Sequence, residues 1–520
     1  MPALNPVLPG FNPDPSFLRV GEDYYIATST FEWFPGVCIH HSRDMVNWEI
    51  AAYALTDEKR MDMTGLDPSC GIWAPNLTWS DGLFYLAYTI VYTNRSRYKD
   101  TYNFVVTAPD VAGPWSDPVP VSRSGFDPSV FHDDDGRKYL VNMTLDHRAD
   151  KTRFSGIDVQ EYDPVAKRLV GEARRVFRGT RFGTTEGPNI IKKDGWYYLT
   201  MAEGGTGFLH CATVVRARSI WGPYEESPYN PLVTSEGQRD CGLARAGHAQ
   251  IIQGADGKWY MAHLCGRPLD SCSVLGRETA IQNLVWTEDG WPRLAANDLA
   301  KPEMTFTPPA ETAQVRDHSQ RVEFADGTIP LDYMTLRQSK ETCGVRVADG
   351  ALVIRGGCSP MSRYEQGLIA RRQRAFNCDF TAAMRFAPRH LNHIAGLLVY
   401  YNCDNYYYLQ MTRDENGPCL YVSSLVNQDL QDFAPARLPE GTEEVFLKAE
   451  IRTRTLQFHY SLDGAAYTPI GEALDMRNIS DERINGNGFT GSMLGVNCCD
   501  CQGDGVEARF AWLDYRELPD

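Results

Sequence analysis

The sequence predicts an all-β protein in which a five-bladed β-propeller is followed by an antiparallel β-sandwich of jelly-roll or lectin-like type. Three observations predict it. One unit recurs five times within the first 265 residues, its glycines 54–62 positions apart. The recurrence stops at a proline-rich passage near residue 300. Beyond that passage, short apolar runs alternate with turn signals and no helical period is present.

Each unit places a polar residue beside Pro or Ala, then a β-type run, then Gly-x-x-Tyr leading into a second β-type run. The five copies are Asp14-Pro15-Ser16-Phe17 with Gly21 and Tyr24, Ala74-Pro75-Asn76-Leu77 with Gly82 and Tyr85, Asp127-Pro128-Ser129-Val130 with Gly136 and Tyr139, Gly187-Pro188-Asn189-Ile190 with Gly195 and Tyr198, and His248-Ala249-Gln250-Ile251 with Gly257 and Tyr260. The spacing is too long for one hairpin and suits a four-stranded blade with its loops. Trp-plus-turn pieces at 42–48, Gly113-Pro114-Trp115 and Trp221-Gly222-Pro223-Tyr224 fit the closing strands of blades, with an indole packed between neighbouring sheets. The strand nearest the axis would bring Asp14, Trp73, Asp127, Glu186 and His248 to one mouth of the channel.

At 520 residues the chain exceeds what one core supports, so two domains are expected. The repeats end at Trp286-Thr287-Glu288-Asp289-Gly290-Trp291-Pro292, and a turn-rich stretch with Pro302, Pro308 and Pro309 follows. These signals place the propeller at 1–305, a connector at 306–320 and a sandwich at 321–520. Runs such as Ala351-Leu352-Val353-Ile354-Arg355 and Tyr406-Tyr407-Tyr408-Leu409-Gln410-Met411, with turns such as Asp463-Gly464, define the sandwich.

A net charge of −16 and the lack of a basic stripe argue against a nucleic-acid partner and suit a neutral small-molecule substrate. No apolar run approaches the roughly 20 residues of a membrane span, and no signal-peptide pattern opens the chain, so a cytoplasmic location is expected. The 14 scattered cysteines then read as free thiols. Cys498, Cys499 and Cys501 are close enough to raise a zinc site, but no second Cys or His pair at ligand spacing accompanies them. The oligomeric state is left open, a homo-oligomer included.

Taken singly, Asp14 and Asp127 before proline, and Glu186 before glycine, are explained by turn chemistry. Their recurrence at matching points of a closed repeat changes the reading. Three acids directed into one partly dry cavity repel one another, an arrangement suited to moving a proton. Two carboxyl groups flanking a bond, one protonated and one ionised, are the equipment of glycoside hydrolysis, and a third near the acid would raise its pKa by repulsion. Phe31, Trp33 and Trp73 offer flat faces for a sugar ring. The residues alone do not distinguish Asp14 from Asp127.

The motifs Asn12-Pro13-Asp14-Pro15-Ser16, Trp73-Ala74-Pro75, Gly125-Phe126-Asp127-Pro128-Ser129, Glu186-Gly187-Pro188 and Leu275-Gly276-Arg277-Glu278-Thr279 closely resemble glycoside hydrolase family 43, in particular its two-domain β-xylosidases. The resemblance implies a propeller followed by a sandwich and hydrolysis with inversion. It makes Asp14 the general base, Glu186 the general acid and Asp127 the group that tunes and orients Glu186. It further implies that Arg277 binds the terminal sugar's hydroxyls, that His248 lies in the central channel, where some relatives hold a divalent cation such as Ca²⁺, and that Phe489 reaches from the sandwich to the propeller mouth. No cofactor is required by this scheme. The implied activity is release of xylose from non-reducing ends of β-1,4-xylo-oligosaccharides. The rivals are α-L-arabinofuranosidase activity, alone or in addition, and a non-catalytic carbohydrate-binding protein.

Overall fold

A computed structural model describes residues 2–94, 97–238, 242–296, 299–486 and 488–519. Five antiparallel sheets are strung along the first part of the chain. Their first strands are Ser16–Val20, Gly71–Ser80, Ser129–His132, Glu186–Lys193 and Ala244–Gln253, and these contact one another in a ring. Each sheet runs outward in chain order, so the innermost strand is always the first of its blade. Blades I to V therefore follow the five predicted units.

The repeated glycines explain why each blade begins as it does. Gly21, Gly82, Gly136, Gly195 and Gly257 occupy the turn between first and second strands, with φ between +62° and +85°. At four of them a Cβ would meet nothing within 4 Å, and at Gly195 only the flexible end of Arg218. The requirement is thus for a left-handed backbone rather than for space. The tyrosine three residues later is buried in every blade, from Tyr260 at 0% exposed to Tyr85 at 3%.

The other repeated point is also bent. Asp14, Ala74, Asp127 and His248 have φ of 54°, 25°, 54° and 47°, and Gly187 takes 58° at the matching place in blade IV. Pairing slips between Trp73 and Asn76, Glu186 and Asn189, and Gly247 and Ala249. Such a bulge re-aims the side chain where the inner strand reaches the channel mouth. Left-handed non-glycine residues cost about 1–3 kcal/mol each and concentrate where function needs them.

The Trp-bearing pieces are placed differently from the prediction. Trp48, Trp115 and Trp221 lie in the connections before the outermost strands Glu49–Leu55, Val119–Ser122 and Glu225–Glu226, not within them. Trp221 still packs between sheets, meeting Tyr139 of blade III edge-on at 5.6 Å. The indoles of Trp48 and Trp115 close turns, donating to the Met45 and Val111 carbonyls at 2.9 and 3.1 Å.

The ring is closed by side-chain chemistry near the amino terminus. The Asn5 amide donates to the Ile281 carbonyl at 2.8 Å and accepts from the Ile281 N–H at 2.9 Å, imitating a strand neighbour for blade V. Ala3–Leu4 pairs with Thr305–Phe306, which ties the beginning of the chain to its passage out of the propeller.

The second domain stacks an eight-stranded sheet on a seven-stranded one. Strict alternation builds its core: in Glu444–Arg452 the buried residues are Val445, Leu447, Ala449 and Ile451, facing Leu397, Val399 and Leu409 of the other sheet. The helical content of the described residues is one 3₁₀ turn, Met476–Ile479. The domains are pinned together by a two-stranded pairing of Thr335–Leu336 with Trp33–Phe34.

Candidate active site

The bends of blades I, III and IV deliver Asp14, Asp127 and Glu186 to one pocket. It is also lined by Phe31, Trp73, Ala74, Phe126, Thr206, His210, His248, Arg277 and Phe489. All eight site residues singled out in the sequence are therefore brought together. Trp33 is not among them. Phe31 adopts φ 49°, which turns the chain, so Trp33 is fully buried against Tyr400 of the sandwich at 6.0 Å instead of following Phe31 into the pocket.

Asp14 is the best-partnered acid. Its Oδ2 accepts from Ser29 Oγ at 2.7 Å, and its Oδ1 accepts from Arg277 Nη1 at 3.2 Å and lies 3.8 Å from His248 Nδ1. Ser29 Oγ in turn accepts from the Ala74 N–H at 2.7 Å, which fixes the hydroxyl proton toward Asp14. Burial alone would raise this carboxyl, but Arg277, His248 and the Ser29 hydroxyl outweigh it and hold Asp14 below the usual carboxylate range.

Glu186 and Asp127 have the opposite environment. Burial pushes Glu186 up to about 7; the charge of Lys99 opposes the rise and that of Asp14 adds to it. Burial, Glu186 and Asp14 drive Asp127 well above its ordinary value against the N–H of Gly187. Asp127 and Glu186 repel each other as a coupled pair, and the charge of Asp14 raises both. Asp127 acts on Glu186 through the backbone: its Oδ2 accepts from the Gly187 N–H at 3.0 Å, anchoring the peptide that follows the acid.

Aromatic rings form the walls. Phe489 of the sandwich stands 5.4 Å from Trp73 and 5.7 Å from Phe31, and Trp73 stands 5.3 Å from Phe126, centroid to centroid. Arg277 ties the two domains together here, donating from Nε and Nη2 to the Phe489 carbonyl at 3.3 and 3.1 Å. Beside it, Gly276 allows the close approach of the chains, since a Cβ there would fall 2.1 Å from the Thr490 carbonyl oxygen.

Three contributors escaped the sequence reading. Phe126 stood within a quoted motif but drew no notice of its own. His210 donates from Nδ1 to the Gly205 carbonyl at 2.6 Å, which leaves Nε2 an unpartnered acceptor. Lys99, whose ammonium lies 4.8 Å from the Trp73 ring and 5.6 Å from Phe126, is lowered to about 8 by burial and Arg153. No local signal marks either residue.

Among the described residues no group of three or more His, Cys, Asp or Glu is arranged to hold a metal ion. At His248 the protein offers imidazole nitrogens and a carboxylate already bonded to Ser29 and Arg277. A Ca²⁺ ion there would draw its oxygen ligands almost wholly from water. In the cysteine-rich run near the end of the sandwich, Cys499 and Cys501 face each other at 3.4 Å as free thiols.

One carboxyl kept ionised and another kept protonated, across a cup of aromatic faces, is what cleavage of a glycosidic bond requires. Fold and site together define a glycoside hydrolase. The chain belongs to glycosyl hydrolases family 43, whose pattern matches residues 3–292, while residues 321–516 match the beta xylosidase C-terminal concanavalin A-like domain. It is 43% identical to a xylosidase/arabinosidase 43B of Humicola insolens, over 99% of this chain and 97% of that one. It is 41% identical to a xylan 1,3-beta-xylosidase of a Vibrio species, over 99% of both. The crystal structure of a xylan beta-1,4-xylosidase from Bacillus halodurans C-125 superposes with a TM-score of 0.96 at 42% identity, covering 99% of this chain and 100% of that one.

The two carboxyls set a pH window. An ionised Asp14 is available only above its lowered pKa, so an activity that uses it as base is expected to fall as pH drops through that value. A protonated Glu186 is available only below about 7, so an activity that uses it as acid is expected to fall as pH rises through that value. The expected profile of kcat/KM is a plateau on the acid side that falls about tenfold per pH unit beyond neutrality. A profile still flat at pH 9 would remove Glu186 as the acid.

Proposed function

We propose that the protein is an exo-acting, inverting β-xylosidase that releases xylose from the non-reducing ends of short β-1,4-xylo-oligosaccharides. The observation that carries the reading is the opposite environment of two acids lining one pocket, Asp14 held ionised and Glu186 held protonated near neutrality. Asp14 removes a proton from the attacking water while Glu186 protonates the departing oxygen in a single displacement. Asp127 holds the Glu186–Gly187 peptide. Arg277 uses three of its five N–H groups on Asp14 and Phe489, leaving one on each of Nη1 and Nη2 for sugar hydroxyls. Phe489 covers the pocket, so a chain end enters and the middle of a polymer does not. The displacement needs no cofactor, and a divalent cation such as Ca²⁺ near His248 is compatible with it. A cytoplasmic setting is part of the proposal, and buried thiols such as Cys38, Cys378 and Cys498 support it.

A second activity, on α-L-arabinofuranosides, is favoured by the name of the Humicola relative. Both are tested by comparing 4-nitrophenyl β-xyloside with 4-nitrophenyl α-L-arabinofuranoside, and β-1,4- with β-1,3-linked xylobiose. Hydrolysis of the xyloside and of the 1,4-linked disaccharide is expected, with α-xylose the first anomer seen by NMR. No turnover of either glycoside would overturn the reading, and β-xylose as the first product would overturn the inverting course.

A further inference from the structure

Two of the four rings that wall the pocket, Trp73 of the propeller and Phe489 of the sandwich, are bonded to one small residue that does not line it. Ser69 is buried, 1% exposed, and left-handed at φ 61°. Its carbonyl accepts from Trp73 Nε1 at 2.9 Å, and its Oγ accepts from the Phe489 N–H at 3.2 Å. Its own N–H donates to Glu32 Oε2 at 3.0 Å. Every polar group of Ser69 is thereby engaged, two of them on the pocket wall and one on a buried acid.

Glu32 belongs to the same interdomain joint. The N–H of Arg337 donates to the Glu32 carbonyl at 2.7 Å, and Arg337 Nε donates to the Leu66 carbonyl at 2.8 Å, three residues before Ser69. The charge of Arg337 partly offsets the burial that drives the Glu32 carboxyl up to about 7. The sandwich therefore grips the Leu66–Ser69 loop from two sides, through Arg337 and through Phe489. The Phe489 peptide is held between propeller groups of opposite sense, its N–H on Ser69 and its carbonyl on Arg277.

We infer that Ser69 is a positioning residue for substrate recognition: through its hydroxyl it sets the Phe489 wall against Trp73, and so fixes how tightly the terminal sugar is held. It touches neither the sugar nor the reacting atoms. The inference rests on the proposed glycosidase reading for the identity of the sugar. Serine and alanine meet the same backbone cost at φ 61°, so Ser69→Ala isolates the hydroxyl while leaving the bonds to Trp73 and Glu32 in place.

The test is a double-mutant cycle of Ser69→Ala and Phe489→Ala, read as KM and kcat for 4-nitrophenyl β-xyloside and as Kd for xylose by calorimetry. Ser69→Ala is expected to raise KM and Kd about three- to tenfold, the worth of one buried hydrogen bond, with kcat changed less than about twofold. In the Phe489→Ala background the same change should add less than about twofold, because the ring it positions is gone. Additive effects in the cycle would overturn the inference, as would an unchanged KM or parallel losses of kcat and melting temperature. If xylose binds and the cycle closes as described but nothing is hydrolysed, the glycosidase reading fails while the positioning role stands.

Discussion

Glu186→Gln is expected to lower kcat/KM on xylobiose by about 10³- to 10⁴-fold, the upper part of the range for a lost general acid. Glutamine keeps the shape of the side chain and the Asp127–Gly187 anchor, so xylose binding should stay within a few-fold of wild type. The loss should depend on the leaving group. Nitrophenolate departs with little help, so the aryl xyloside should suffer far less than the disaccharide, whose alkoxide cannot leave without a proton. The fall in rate above pH 7 should vanish together with its cause. An equal loss on both substrates would show that Glu186 serves some role other than proton donation.

Asp14→Asn should be as damaging, about 10³-fold or more in kcat, because an amide cannot take a proton from water. It also makes a second, less obvious change. The Asp14 charge lifts the Glu186 carboxyl, so neutralising it should move the basic limb of the residual activity to lower pH. Arg277 meanwhile loses the carboxylate that pairs with its Nη1. A variant that retains a tenth of wild-type activity, or whose basic limb rises, would contradict the assigned role. The two predictions separate the acids by opposite effects on one pH profile.

Much of this site was legible in the sequence because the repeat carries its own geometry. Gly-x-x-Tyr needs a left-handed turn and a buried ring in each copy, so five copies announce five blades, and the residues preceding each inner strand come to one mouth. The acids were found because they occupy those points. Trp33 was misread because alternation along a strand puts residues 31 and 33 on one face, and the left-handed Phe31 breaks that alternation. Ser69, Lys99 and His210 lie off the repeat. Ser69 meets Phe489 across 420 residues of chain, a pairing that no local pattern encodes.

The bent points of the five inner strands form the corners of a pentagon, and a pentagon offers only two spacings, edge and diagonal. Asp127 and Glu186 stand on adjoining corners, close enough for one to bond the peptide of the other. Asp14 and Glu186 stand across a diagonal, with blade V between them on the short way round. Displacement by water needs the wider gap, roughly 6.5–9.5 Å between carboxyls, whereas a covalent route needs about 5 Å. The proposed inverting course fits acids placed across a diagonal, and moving the proposed base from blade I to blade V would exchange a diagonal for an edge.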